Sequence, residues 1–369
     1  MEPECEEVEG LNFCTAPFRG LLMAAPYTIT MQQVADAVGL SRSAVSLALR
    51  NHPSIPPATR ALVAEAARRL DYRPNPLVAA LMSQHLRLRP RRRRPTLAYV
   101  TSHPKDDPWR HYPAFVQMYD GVIRRATELG YRVEEFALAR LQSNPARLID
   151  ILRARGINGI FIAPLPGSMR ALDLDITDFA TVGLGMSVSA PVIRRVTADI
   201  FQVGRLAAQR CAALGYRRIG FAASAEMSSR LEHRMFAGYR QGLWDRGLAE
   251  TVPPLLTPHT GTFSTFLPSW CRTAKPEVVL FGTFDPGCLR GVPPEIGCVN
   301  LNVDNLGSDT TGVYQNLPRI GAMAVEQLHM ALQQNATGPL DQPQTYLHGV
   351  LWVAGTTAPG VGVHRTAAR

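Results

Sequence analysis

Arg42, Ser43, Ser46, Leu47 and Arg50 fall on one side of a short segment whose other side carries Val45 and Leu49, four residues apart. These are types that read DNA: a guanidinium pairs with guanine edges or phosphates, a hydroxyl serves either, and leucine packs on a thymine methyl. In a recognition helix the N-terminal residues reach the bases. Arg42 and Ser43 are therefore the expected readers, Leu47 an apolar contact, and Ser46 and Arg50 phosphate contacts. Chemistry of other kinds finds little support. Gly183-Leu184-Gly185 lacks the third glycine of a dinucleotide fingerprint, and there is no phosphate-loop Gly-Lys-Ser/Thr and no nucleophile elbow. Glu232-His233 has Ser229 and Ala237 where a second metal-ligating histidine would stand, so no zincin site forms and no metal or cofactor is expected.

The elements that would hold these side chains are two short helices around Val38-Gly39-Leu40. Thr30 and Gln33 have capping-box spacing, Val34, Ala35 and Val38 make an apolar stripe, and Gly39 supplies a permissive turn backbone. Ser41 caps the second helix. Pro57 opens a third helix over 57–70 with an apolar stripe of Leu62, Val63, Ala66, Ala67 and Leu70. An ordinary helical hairpin with a solvated polar face would share the first of these features, so the surroundings matter. Residues 27–95 carry twelve arginines against three acids, +9 of the chain's net +9. Six of the twelve lie in Arg87–Arg94, RLRPRRRR, either a solvated linker or a phosphate contact. A basic block around such a hairpin is the footprint of a phosphate-backbone binder.

The 369 residues suffice for two or three domains, and 46% hydrophobic content is ordinary for a globular protein. No apolar run approaches the roughly 20 residues that cross a bilayer, and no membrane partner is expected. Residues 1–26 hold five Glu and one Arg, lack periodicity and read as a disordered extension. Met23 is a candidate start of translation. The six cysteines show no Cys-x-x-Cys spacing, which suits reduced thiols in a cytoplasm.

From Thr96 onward apolar strands alternate with amphipathic helices: strands at 96–101, 132–138, 157–163, 179–185 and 217–223, and helices at 114–129, 146–155 and 202–214. This alternation predicts parallel sheets covered on both faces. The stretches 126–138 and 212–224 share a Leu-Gly-Tyr turn and hint at two similar lobes.

The run VADAVGLSRSAVSLAL, with TR at 59–60 and YRPNP at 72–76, resembles the LacI/GalR family of bacterial transcription regulators. A looser resemblance runs through 196–221, 234–243, Asp285, 313–321 and 351–359. It implies an all-α helix-turn-helix headpiece (27–75, with Thr30, Ser41 and Asn75 also at the DNA), then a hinge helix and Arg-rich linker (76–95), with Leu81 as a minor-groove wedge. It further implies an α/β two-lobed periplasmic-binding-protein-like core (96–360) crossed by three chain segments, followed by a tail at 361–369. The expected lobes are 96–189 with 317–341, and 190–316 with 342–360. Partners implied are a near-palindromic double-stranded DNA operator, a second copy in a homodimer, and a small polar effector such as a carbohydrate.

Departures are visible too. Leu47 stands where many members carry Arg, and Pro56 where they carry a Ser or Thr cap. Arg234 before Gly238 is the nearest match to the effector-reading arginine, with one residue of spacing unaccounted for. Asp285 and Asn302 are the other polar candidates. The helix usual between Asp285 and the strand at Ile296 is expected to be shortened or absent. His103, Trp109, Tyr112 and Phe115 read equally as a sugar-stacking set or as lobe packing. The expected function is a cytoplasmic repressor rather than an enzyme. The alternative is a small-molecule binding protein or enzyme of doubly wound fold without a regulatory role.

Overall fold

A computed structural model describes residues 29–49, 54–70, 72, 94–106, 108–141, 144–167, 169–259, 262–282 and 292–361. Arg50, Asn75, Leu81, Asp285, the acidic extension, and the hinge with most of the arginine-rich linker lie outside them. The chain divides into two compact units, Met1–Pro74 and Asn75–Arg369.

The first unit is a trio of helices, α1 (Met31–Val38), α2 (Arg42–Leu49) and α3 (Pro57–Arg69). Val34 and Ala35 from α1, Val45 and Ala48 from α2, and Val63 and Ala66 from α3 form its core. The capping box forms: Thr30 Oγ1 accepts from Gln33 N–H, and Gln33 Oε1 accepts from Thr30 N–H at 2.8 Å. Gly39 ends α1 at φ +66°, where a side chain would have open space but a strained backbone, so backbone conformation selects glycine here. Pro56 offers no side-chain cap to α3, and Pro57 starts that helix as anticipated. Leu62, expected in the stripe, is 54% exposed, because Val63, Ala66, Ala67 and Leu70 already fill the inward face.

The second unit carries two six-stranded sheets. The first has strand order β11-β5-β4-β3-β1-β2 and is parallel throughout, with β1 (Thr96–Thr101), β2 (Arg132–Ala137), β3 (Gly159–Ile162), β4 (Ala180–Leu184), β5 (Arg194–Ala198) and β11 (Gln344–His348). The second has order β12-β10-β9-β8-β6-β7, with β6 (Ile219–Ser224), β7 (Leu255–Thr257), β8 (Val278–Phe281), β9 (Gly297–Val303), β10 (Gly312–Tyr314) and β12 (Leu351–Val353). Its pairs are parallel except β10 with β12. Helices α4 (Pro113–Glu128), α5 (Pro145–Ala154) and α10 (Leu317–Gln333) accompany the first sheet; α6 (Ile200–Ala213), α7 (Ala225–Arg230), α8 (Arg234–Trp244) and α9 (Phe263–Ala274) accompany the second. The chain passes between lobes three times: at Asp199, which caps α6, at Asn316, which caps α10, and at Gly349.

The expected lobe boundary is corrected. Strands β5 and β11 belong to the first sheet, so that lobe extends through Ala198 and takes back 344–348. Register pairing of Val182 with Arg194 and of Val196 with Tyr346 fixes this. The shared Leu-Gly-Tyr turns are a local device and do not mark equivalent strands. Gly130 and Gly215 both take positive φ and close helices in the same way, but one leads into edge strand β2 and the other into the first strand of the second lobe, β6.

The lobes are similar nonetheless, since β7-β6-β8-β9-β10 repeats the order β2-β1-β3-β4-β5, and they also share a helix crossing made by paired glycines. A Cβ on Gly121 or Gly321 would lie 1.9–2.0 Å from the Pro318 or Met118 carbonyl oxygen, which brings α4 and α10 into backbone contact. Gly204 and Gly238 do the same for α6 and α8 against the carbonyls of Met235 and Phe201. No side chain larger than hydrogen fits at these four positions.

Candidate functional site

On the headpiece, Ser41 Oγ accepts from Ala44 N–H at 3.1 Å and lies 3.0 Å from Ser43 Oγ, so the first turn of α2 is fixed before any partner arrives. Arg42 and Ser43 are exposed on that turn, with Thr30 and Ser41 exposed beside them. Ser46 and Leu47, one turn on, are half-buried. Preorganised donors at a helix N-terminus, with its positive dipole end, suit an anionic partner.

In the core, a cavity of about 130 Å³ opens between the lobes at the carboxyl ends of both sheets, where strand order reverses and open α/β sheets bind ligands. Its walls are chiefly apolar. The first lobe supplies Phe115, Met118 and Met186, and the second Met227, Leu231 and Met235. Met118 and Met235 are the residues whose carbonyls meet the crossing glycines Gly321 and Gly204, so the helix crossings also set the cavity walls.

Among the described residues, polar lining is sparse. Ser187 Oγ already accepts from Leu165 N–H at 2.9 Å, and Gln315 Nε2 donates to the Leu301 carbonyl at 2.7 Å. Asn302 Oδ1 is buried and without a hydrogen-bond partner. Arg230 ends α7 with its guanidinium 5.6 Å from the Phe115 ring and, among the described residues, in no ion pair. Burial pushes its pKa below the ordinary arginine value, opposed by the charges of Glu226 and Tyr112.

Beside the cavity, Glu232 ties the lobes together. Its carboxylate lies 3.3 Å from Arg170, 3.5 Å from Arg195 and 3.1 Å from Arg234. Arg170 also donates to the Ser229 and Arg230 carbonyls at 3.1 and 2.6 Å. Burial opposes ionisation of Glu232, but the Arg234 hydrogen bond and the Arg195 and Arg170 charges outweigh it and hold its pKa below the usual carboxylate range. Glu232 and His233 are consecutive left-handed residues, φ +54° and +55°, in the turn between α7 and α8.

This geometry sorts the expected ligand residues. Asn302 lines the cavity. Arg234 does not: it is half-exposed at the first position of α8, after the left-handed His233, and is paired with Glu232. Trp109 is 3% exposed and packs in the lobe, donating Nε1–H to Glu135 at 2.9 Å, with Arg110 4.3 Å over its ring. Tyr112 is exposed and stands outside the lining, its ring 5.1 Å from that of Phe115. His103 is buried 5.7 Å from the same ring. Among the described residues Arg230, which the sequence reading missed, is the cation that reaches the cavity. The legible signal was the stripe Met227, Leu231, Met235, spaced by four beside it.

Residues 30–75 match the family described as bacterial regulatory proteins, lacI family. The HTH-type transcriptional regulator CelR of Thermobifida fusca is 28% identical over 228 residues, 59% of this chain and 62% of that protein. The chain thus spans less than two thirds of CelR, and 37% of the NTD biosynthesis operon regulator NtdR of Bacillus subtilis. Among solved structures, a CelR–cellobiose complex superposes with TM-score 0.53 at 20% identity, covering 88% of this chain and 98% of that one. A lac repressor dimer bound to operator and an anti-inducer superposes with 0.54 at 19%, covering 90% and 99%. The headpiece is a lacI-family domain. The core has the two-lobed, parallel-sheet fold of those solved regulators.

Proposed function

We propose that this chain is a sequence-specific DNA-binding transcriptional regulator that represses from a near-palindromic operator as a homodimer in the cytoplasm. The observation that carries this reading is the Ser41-capped first turn of α2, presenting Arg42 and Ser43 from a lacI-family headpiece. Arg42 reads a base edge, Ser43 assists it, and the half-buried Leu47 contributes an apolar contact. A small effector occupies the interlobe cavity, and its preference for one degree of lobe closure shifts operator affinity. Cellobiose in the CelR complex supports a carbohydrate as one candidate. The protein acts by binding rather than by catalysis, a reading supported by its similarity to the transcriptional regulators CelR and NtdR. No described helix is long and apolar enough to cross a membrane.

Footprinting of the full chain on its own promoter region, with and without candidate sugars and small carboxylates such as hydroxybenzoates, tests this. The expected result is one protected near-palindrome whose occupancy changes with a ligand. Identical protection under every ligand contradicts the effector role, and no protected site contradicts the DNA reading.

A further inference from the structure

The lining of the interlobe cavity defines a ligand chemistry narrower than "small molecule". Methionines from both lobes, 118, 186, 227 and 235, together with Phe115 and Leu231, surround a space of about 130 Å³. That is close to the roughly 150 Å³ of an engineered cavity that takes benzene. Thioethers are soft, adaptable and favourable against aromatic rings, so this wall suits one flat six-membered ring. A free monosaccharide is the same size, but it carries a hydroxyl on nearly every carbon, each needing a partner once water is excluded.

The described lining has few charged or unpaired polar groups to give. Ser187 and Gln315 each commit one hydrogen bond to the backbone, and with Thr197 they are neutral groups; among the described lining residues the two pointed demands come from Arg230 and Asn302. Arg230 brings a desolvated positive charge that no described carboxylate neutralises at ion-pair distance; Glu226 acts on it only through its field, and Glu226 itself lies 3.4 Å from His259. Asn302 Oδ1 is buried and requires a donor. A guanidinium forks onto a carboxylate with two parallel hydrogen bonds, and a hydroxyl elsewhere on the ring would donate to Asn302.

Resting on the reading of this cavity as the effector site, we propose that its ligand is a monocyclic aromatic carboxylate bearing a hydroxyl. The carboxylate meets Arg230, the ring lies against the methionines and Phe115, and the hydroxyl reaches Asn302. Arg234, outside the lining and bound to Glu232, plays no part in recognition.

Calorimetric titration of the full chain tests this with 3- and 4-hydroxybenzoate, benzoate, 4-hydroxybenzyl alcohol, D-glucose and cellobiose as probes. A hydroxybenzoate is expected to bind most tightly. The neutral alcohol should bind about tenfold or more weaker, the scale of a lost charge-assisted hydrogen bond. Arg230→Gln should weaken the acid by a similar factor and leave the alcohol within about twofold, since the charge pair is already absent there. Arg234→Gln should change neither. The acid-to-alcohol comparison uses the unaltered protein, so it decides the matter even if Arg230→Gln folds poorly. Acid affinity indifferent to Arg230→Gln overturns the proposal. Binding of glucose or cellobiose but of no acid overturns the ligand class and leaves the effector site standing. If neither acids nor sugars bind, the ligand class and the effector reading fall together.

Discussion

Two arginines set the headpiece and the core apart. Arg42 stands in water at the start of a helix, on a turn that Ser41 has already fixed. Arg230 ends a helix inside an apolar cavity, without an ion-pair partner among the described residues. A solvated guanidinium loses little on meeting a large polyanion and contributes through many such contacts, screened by salt. A desolvated one interacts far more strongly with a single small partner because the surrounding dielectric is low. The same side chain therefore serves an extended surface in one unit and a point site in the other. The neighbours differ to match: polar and exposed around Arg42, sulfur and aromatic around Arg230.

The largest expected effect breaks the core side of this contrast. Gly321→Ala drives a Cβ into the Met118 carbonyl and the α4 backbone, which cannot yield as a side chain would. A loss of about 3 kcal/mol is expected, at the upper end for overpacking, read as a lowered midpoint in chemical denaturation. Gly39→Ala, in open space at φ +66°, should cost only about 1 kcal/mol, the cost of a left-handed alanine. Equal losses would mean that the helix crossing is looser than it looks.

Next comes the headpiece. Arg42→Ala should remove about 1–3 kcal/mol of discrimination at one base pair per half-site and leave the other positions unchanged, as measured by competition among single-base operator variants. Uniform weakening would make Arg42 a phosphate contact. Ser41→Ala should cost about 1 kcal/mol of headpiece stability by stripping the cap from Ala44 N–H, measured by thermal melting of the headpiece signal.

The smallest effect sharpens the core side. Glu232 is about a third exposed, so its ion pairs with Arg170 and Arg195 should contribute no more than about 1 kcal/mol. Its pKa is lowered in the folded state, so that contribution is complete above the ordinary carboxylate range and fades as pH falls through the depressed value. Glu232→Gln should therefore lower stability at pH 7 and flatten its decline on acidification. An unchanged acid profile would remove Glu232 from the interlobe tie.

The headpiece was legible because its signals are local. A capping box, a positive-φ glycine and a four-residue apolar spacing act within a turn or two, and all three appear in the structure. The strand and helix alternation of the core was legible for the same reason. The cavity was not, because burial depends on partners far along the chain. Trp109 reads as a stacking platform until Glu135, 26 residues away, takes its indole N–H. Arg234 reads as the ligand arginine until Glu232 takes its guanidinium outside the cavity lining. The lobe boundary moved because β5 pairs with β11, about 150 residues downstream, a contact no local pattern encodes.

Whether the exposed first turn of α2 reads DNA sequence is tested by selection of operators from a random duplex library by the full chain, repeated with Arg42→Ala. A near-palindromic consensus is expected for the unaltered protein, with loss of preference at one symmetric pair of positions in the variant. Enrichment of no sequence, or an identical consensus from both proteins, would contradict that reading.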